Sequence, residues 1–243
     1  MKRVIVSLVL VVLTLASTAC NIGSVTLGEI KTGPTVTEEI SVPVPDGATA
    51  SDVEISMGGG DLSIDVGDLD GLVEGTVEYN VEEVKPVVQT SGNRVVIEQG
   101  DIEGKRIPLG NWSDVENRWD LTLGKAPMVL AVNAGAAEAE FAGLADLNAS
   151  DITMRGGAGD FRLDFDGDLK QDMRVGIDAG AAKVTIVVPE GTAAELTFEG
   201  ALTDIDAGGA WQKSGGRYVL EGAGPRITFT VRMGVGSLEL RNR

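Results

Sequence analysis

The sequence predicts an all-β protein, and three observations support that fold class. After residue 20 no long amphipathic helical pattern occurs, and short β-branched runs are separated by Gly, Asp and Pro. Apolar and polar residues alternate with a period of two, as at Phe229, Val231 and Met233. Glycines recur at the start of similar segments. Together these features favour repeated strands joined by sharp bends.

Five segments share one frame, in which the first residue is Gly, the third is Gly or Ala, and the fifth and seventh are apolar. They read GGGDLSI, GAAEAEF, GAGDFRL, GAAKVTI and GVGSLEL, and they start at Gly58, Gly135, Gly157, Gly180 and Gly234. Glycine suits a corner that needs an unusual φ angle or the close approach of two backbones. Each unit is therefore predicted to be strand, glycine corner, strand, with the corners packed closely on one another.

The spacing of the corners predicts a β-solenoid. Gly157 follows Gly135 by 22 residues and precedes Gly180 by 23, a length that suits one rung of a solenoid. We therefore expect a single-stranded, right-handed β-helix-like solenoid, whose narrow core suits an aromatic content of only 4%. The alternative is an antiparallel β-sandwich with the glycines at hairpin turns. Two interruptions, 67–125 and 207–226, are predicted to carry hairpins around TSGN and KSGG.

The N-terminus has the pattern of an export signal. Lys2 and Arg3 precede the apolar run 4–15, and small residues follow it. Cys20, the single cysteine, comes directly after those small residues and resembles the lipobox cysteine of bacterial lipoproteins, although Ser17 stands where that family has Leu. The resemblance implies a lipidated Cys20 and an extracytoplasmic protein anchored to the membrane. The alternative is an ordinary signal peptide with an incidental cysteine.

We divide the chain into four segments. Residues 1–19 are the predicted lipoprotein signal peptide, and residues 20–36, which are polar and broken by Gly and Pro, form a tether. Residues 37–125 form an N-terminal β region, and residues 126–243 carry the C-terminal solenoid repeats.

Composition excludes several classes of function. The net charge of −17 argues against nucleic-acid partners, because phosphate binding needs clustered Lys and Arg. The chain has no histidine, which is the most common general base and metal ligand. A single cysteine excludes an intramolecular disulfide and a cysteine-based zinc site.

The order of the repeats resembles a known family. The GGGDLSI unit, the series NAGAAEAEF, RGGAGDFRLDF and DAGAAKVTIVVPEG, and the closing RITFTVRMGVGSLELRNR resemble the bacterial toastrack family of domains of unknown function. That family is similar to the C-terminal region of LiaF-type cell-envelope stress proteins and to adhesin-head domains. Over roughly residues 35–243, the resemblance implies an extracytoplasmic, β-solenoid-like domain and implies no catalytic residues.

One cluster of acids is a candidate cation site. Asp164, Asp166 and Asp168 place carboxylates at alternate positions, and oxygen ligands are those that Ca²⁺ prefers. The spacing departs from an EF-hand loop, because Gly167 comes fourth where that loop has its glycine sixth. The alternative is a polar turn after a strand, with no cofactor bound.

The sequence favours a non-catalytic lipoprotein of the cell envelope, acting in adhesion, binding or an envelope-stress scaffold. Its expected partners are the membrane, through the lipid anchor, and an envelope protein or polysaccharide. Trp112, Trp119 and Trp211 are predicted to be core or cap residues, and the alternative is that they are exposed and stack on sugars. The rival function is an enzyme that acts on envelope glycans with a pair of carboxylates, although no two of the 37 acids stand out.

Overall fold

The computed structural model describes the backbone of residues 28–29, 31–101, 105–106 and 114–243. Side chains are described for the same residues except 28–29, 105–106 and 202–203. The predicted signal peptide, Cys20 and Trp112 lie outside the described residues, so lipidation stays a prediction. Within the described part of the chain, no helix has the length and apolar character needed to cross a membrane.

Six long strands of 14 to 21 residues form the body of the molecule. They are β3 (Ser51–Val66), β9 (Met128–Phe141), β10 (Ala149–Asp164), β11 (Met173–Val188), β12 (Gly191–Ala207) and β15 (Gly222–Asn242). In space they follow the order β3, β9, β10, β11, β15, β12, and every neighbouring pair is parallel. Parallel pairing excludes the antiparallel sandwich, and the all-β, solenoid-like prediction is confirmed.

Shorter elements surround this stack. They are β1 (Gly28–Glu29), β2 (Val36–Val42), β4 (Val73–Tyr79), β5 (Pro86–Ser91), β6 (Arg94–Gln99), β7 (Lys105–Arg106), β8 (Asn117–Leu123), β13 (Gln212–Ser214), β14 (Arg217–Leu220), and 3₁₀ turns at Glu82–Val84 and Leu144–Asp146. β6 pairs with the first half of β3 and β8 with its second half, both in parallel. Antiparallel strands then extend the two ends: β5 on β6, β4 and β2 beyond β8, and β14 and β13 on β12.

Each long strand bends at a corner, which is glycine in every long strand except β12, and we call one such bent strand a rung. The register skips the corner: Gly156 faces Ala179 and Ala158 faces Ala181, whereas Gly157 and Gly180 are left out of the pairing. The first halves of the rungs therefore form one face of the solenoid and the second halves form the other. Side chains that alternate inward from both faces fill the space between them.

The core agrees with the predicted alternation. Leu62, Phe161, Val184 and Leu238, from four rungs, are at most 2% exposed. Space between the faces is limited: a Cβ on Gly156 would lie 2.5 Å from the ring of Phe161, so the largest side chain of that rung requires the smallest one opposite it.

Both predicted hairpins are present. β5 and β6 are joined through Gly92, and β13 and β14 through Gly215 and Gly216. Trp211 and Tyr218 are 6% and 7% exposed and cover the core at the β12 end, and Trp119 is fully buried at the other end. Trp119 and Trp211 are therefore core or cap residues, as predicted, and their burial excludes the alternative that they stack on sugars.

The order of the rungs differs from the order of the chain at both ends. β15 lies between β11 and β12, although β12 comes before it in the sequence. In the same way β3 lies between β9 and the pair β6–β8. The two predicted β regions, 37–125 and 126–243, share one hydrophobic core and one sheet, in which β3 of the first region pairs with β9 of the second.

Candidate functional site

The five corner glycines lie directly above one another. A Cβ on Gly135 would lie 2.2 Å from the carbonyl oxygen of Gly58, one on Gly157 2.4 Å from that of Gly135, and one on Gly180 2.5 Å from that of Gly157. On Gly234 it would lie 2.8 Å from the carbonyl oxygen of Gly180. Real Cβ atoms do not approach an oxygen so closely, so these rungs require glycine. The stacked corners make a ridge without side chains.

The third residue of the repeat alternates along the ridge. Gly60, Gly159 and Gly236 have φ angles of +130°, +143° and +138°, values that L side chains rarely adopt. The rungs between them carry Ala137 and Ala182, which are buried and point into the core. A Cβ on each of these three glycines would lie at most 2.0 Å from a carbonyl oxygen. That oxygen belongs to the alanine of the neighbouring rung or, for Gly60, to Asn117. Neighbouring rungs therefore differ in backbone conformation although their sequences look alike.

One rung has an open corner. Ser56 of β3 faces Glu98 of β6, and Asp61 of β3 faces Arg118 of β8. β6 and β8 together thus occupy the place of a single rung, and residues 100–116 are inserted at its corner. A closed rung has only about two residues at this point, as Gly58 and Gly59 show in β3.

Two amide side chains fill the gap left in the stack. Gln99 accepts a hydrogen bond from the backbone N–H of Gly58 through Oε1 (2.9 Å). Asn117, which is 6% exposed, donates from Nδ2 to the carbonyl of Gly59 (2.6 Å) and to Gln99 Oε1 (2.9 Å), and its Oδ1 accepts from Trp119 Nε1 (2.9 Å). The amides replace backbone contacts that a continuous rung would supply.

A groove of about 1280 Å³ lies beside the open corner, and we call it the corner groove. Its floor is the ridge, where Gly58, Gly135 and Gly157 lie side by side. Its apolar lining includes Val84, Val87 and Val115, and Val87 of β5 is the register partner of Glu98. A row of four polar residues, Glu98, Ser56, Asn133 and Arg155, forms what we call the polar wall.

Hydrogen bonds link three of the four polar-wall residues, Ser56, Asn133 and Arg155. Glu98, Ser56, Asn133 and Arg155 occupy the same register position of β6, β3, β9 and β10. Asn133 donates to Ser56 Oγ (3.0 Å) and accepts from Arg155 Nη1 (3.4 Å). Glu98 accepts from Gln89 Nε2 (2.8 Å). Among the residues that the structure describes, Arg155 forms no ion pair with a carboxylate.

A comparison of sequences identifies the family. Residues 31–187, more than half of the chain, match the model of the N-terminal domain of toast_rack, a domain of unknown function. The chain belongs to this family. The toast-rack chain matches no protein in a search of curated proteins.

One solved structure shares the fold of the toast-rack chain. A structure of a proposed cell adhesion protein from Clostridium sporogenes superposes with a TM-score of 0.78 at 22% identity, covering 86% of this chain and 100% of that one. A proposed adhesin from Parabacteroides merdae gives a TM-score of 0.39 at 10% identity, covering 88% of this chain and 84% of that one. The first comparison shows a shared fold, and the second is too weak to carry an argument.

Arginines surround the candidate cation site of the toast-rack chain. Asp164 is 5% exposed and pairs with Arg243 (2.8 Å) and Arg162 (3.4 Å). Asp166 lies 3.5 Å from Arg243, and Asp168 pairs with Lys170. Within the described part of the chain, no three acidic or cysteine side chains form a group suited to a metal ion. The basic groups already neutralise Asp164, and calcium binding there stays a prediction.

Three carboxyl groups in the described part of the toast-rack chain are stabilised as anions. A hydrogen bond from Lys85 lowers the pKa of Glu38, the backbone N–H of Asp168 lowers that of Asp146, and Arg174 lowers that of Asp151. A glycosidase needs one carboxyl group whose pKa is raised, so that it can donate a proton. These three groups are shifted in the opposite direction.

Sequence reasoning placed the corner glycines but missed the groove. Nothing in the repeat marks Glu98, Ser56, Asn133 and Arg155, because they come from four strands that are distant in sequence. One signal was present: the interruption 67–125 separates two glycine units that are neighbours in space, and such an interruption is where a solenoid departs from its regular surface.

Proposed function

We propose that this toast-rack chain is a non-catalytic binding protein of the bacterial cell envelope and that the corner groove is its binding surface. The observation that carries the proposal is the open corner of the β6–β8 rung, where Gln99 and Asn117 fill the gap and leave a groove beside it. Grooves that bind ligands are concave, mostly apolar and supplied with a few placed polar groups. The name of the Clostridium sporogenes structure supports a role in adhesion.

The proposal includes the location of the protein. An export signal ending at Cys20 supports a lipid anchor on the outer side of the membrane, which would hold the groove close to envelope components. Labelling cells with radioactive palmitate tests the anchor: the full chain is expected to take up label, and a Cys20→Ser variant is not. Equal labelling of both would contradict it.

Two valines offer a matched test of the groove. Val87 lines the groove and is 43% exposed, whereas Val129 is 42% exposed and lies outside the groove. Purified protein would be mixed with isolated cell envelopes and sedimented. We expect Val87→Asp to reduce the bound fraction and Val129→Asp to leave it unchanged. Equal binding by both variants, or no binding by the unsubstituted protein, would overturn the proposal.

A further inference from the structure

The corner groove has opposite charges at the two ends of its polar wall. Glu98 lies on β6 and Arg155 on β10, three strand spacings away at the same register position. At about 4.8 Å per spacing, the backbones at these two positions are about 14 Å apart. Ser56 and Asn133, both uncharged, lie between them. A ligand along this wall would therefore meet an anion at one end and a cation at the other.

Arg155 differs from other arginines on the same face. Arg232, in the same row, lies between Asp178 (3.4 Å) and Glu199 (3.0 Å), and Arg94 lies between Asp52 (3.6 Å) and Glu54 (2.6 Å). Arg155 is exposed, and among the described residues its side chain has one hydrogen bond, to the amide oxygen of Asn133. Asp178, its register partner on β11, pairs with Arg232 instead. In a chain with a net charge of −17, a guanidinium without a carboxylate partner is available to an anionic ligand.

The floor lets a main chain come close. Between Glu98 and Arg155 the ridge presents glycines and Ala136, so no side chain larger than a methyl group projects from it. An extended peptide advances about 3.4 Å per residue, so four residues cover about 14 Å, which is the spacing of the two backbone positions. The apolar lining of the groove, which includes Val84, Val87 and Val115, suits small apolar side chains.

We propose that the corner groove binds a short extended peptide of about four small residues, with its cationic end at Glu98 and its carboxylate at Arg155. This inference rests on the proposed binding function and names the class of ligand. Charge at both ends sets the direction in which the peptide lies, and the length of the groove sets its size. Neither a longer segment with blocked ends nor a purely anionic chain satisfies both ends of the groove.

Calorimetric titration with tetraalanine, using the full chain, tests the inference. We expect tetraalanine to bind, and we expect its C-terminal amide and its N-acetyl form each to bind about tenfold more weakly, because each loses one charge-assisted hydrogen bond. Arg155→Gln should weaken the binding of tetraalanine about as much as amidation does, and it should not weaken the binding of the C-terminal amide any further. Glu98→Gln should likewise weaken the binding of tetraalanine but not the binding of the N-acetyl form.

Matched variants control for the change in net charge. Arg174→Gln and Glu199→Gln remove the same charges from the same face outside the groove, and tetraalanine should bind to both as it does to the unsubstituted chain. No binding of tetraalanine would overturn the inference, and so would equal binding of the doubly blocked peptide. Loss of binding with Arg155→Gln but not with Glu98→Gln would indicate an anionic ligand, such as an acidic polysaccharide, instead of a peptide.

The envelope sedimentation assay separates this inference from the proposed function. If no peptide binds while envelopes still bind the unsubstituted chain and not Val87→Asp, the ligand class is wrong and the binding function stands. If envelopes do not bind either, both are wrong.

Discussion

The solenoid has two kinds of corner, which differ in what packs against the corner glycine. The closed corners belong to β9, β10 and β11, and the open corner lies between β6 and β8. In the closed corners, each glycine lies against the carbonyl oxygen of the glycine in the neighbouring rung, and no side chain fits. At the open corner, Gln99 lies where the backbone of a further rung would be, and a Cβ on Gly58 would lie 2.9 Å from its amide nitrogen. The closed corners depend on backbone and tolerate no change, whereas the open corner depends on side chains and accommodates an insertion.

This difference explains where a binding surface can arise. A corner between two rungs is constrained on both sides, so any residue inserted there separates the rungs above and below it. The β6–β8 rung continues into antiparallel strands instead of another parallel rung, so its corner has a closed neighbour on one side only. A repeat protein can therefore change its surface at the end of the stack without altering the rungs that hold it together.

The largest expected effect is at the third position of a closed corner. Gly159→Ala combines a φ angle of +143° with a Cβ that would lie 1.8 Å from the carbonyl oxygen of Ala137. We expect the free energy of unfolding to fall by about 4 kcal/mol, measured by urea denaturation, because strain and overlap add. Gly176→Ala is the control, since its Cβ meets nothing within 4 Å. If the two variants are equally stable, the alternating corner geometry is wrong.

The next largest effect compares the two kinds of corner directly. Gly157→Ala places a Cβ 2.4 Å from a backbone oxygen, whereas Gly58→Ala places it against the movable side chain of Gln99. We expect losses of about 3 kcal/mol for the first and under about 1 kcal/mol for the second, because only the side chain can give way. Equal losses would show that the open corner is as rigid as the closed ones.

Asn117→Ala should have an intermediate effect. The substitution leaves the buried N–H of Trp119 and the carbonyl of Gly59 without their hydrogen bonds. Each unsatisfied buried group is costly, so we expect a loss of about 2 kcal/mol in the thermal or urea unfolding free energy. Asn93→Ala, which loses one exposed hydrogen bond to Ala50, should change stability little. Equal losses of unfolding free energy in the two variants would show that the hydrogen bonds of Asn117 do not stabilise the open corner.

The smallest effect lies on the outer face and depends on pH. Arg174 donates to both carboxylate oxygens of Asp151 (2.7 and 2.9 Å) and lowers its pKa. A lowered folded-state pKa stabilises the fold above the ordinary Asp value of about 3.9, and this contribution is lost as the pH falls through the folded-state pKa. Asp151→Asn should therefore reduce the fall in stability on acidification from pH 5 to pH 2. An unchanged acid profile would show that this exposed pair contributes nothing.

Periodicity made the rungs predictable, because both halves of each rung bury every second residue and the corner requires glycine at a fixed place. Leu62, Phe161, Val184 and Leu238 could be assigned to the core on that basis. The corner of β12 was missed, because Ala201 stands there; β12 forms the last parallel rung, so no further glycine corner is stacked beyond it.

Spatial order and the binding groove could not be read from the sequence. Period and spacing describe each rung by itself and do not say that β15 enters between β11 and β12. The polar wall of the groove requires the register of four strands, including β6, which carries no repeat motif. Arg155 has the same character in sequence as Arg232, and Asp178 is the register neighbour of both. Only the side-chain contacts distinguish them, because Asp178 and Glu199 both pair with Arg232.

The position of β15 has a consequence for biogenesis. Synthesis delivers the chain from its N-terminus, so β11 and β12 both leave the ribosome before the strand that must join them exists. Until residues 222–242 arrive, each of these two strands has an edge of unpaired amides and carbonyls, and such edges recruit strands from other molecules. A prematurely terminated chain thus exposes two aggregation-prone edges where a solenoid built in chain order would expose one, and degradation of incomplete chains becomes a requirement of this topology.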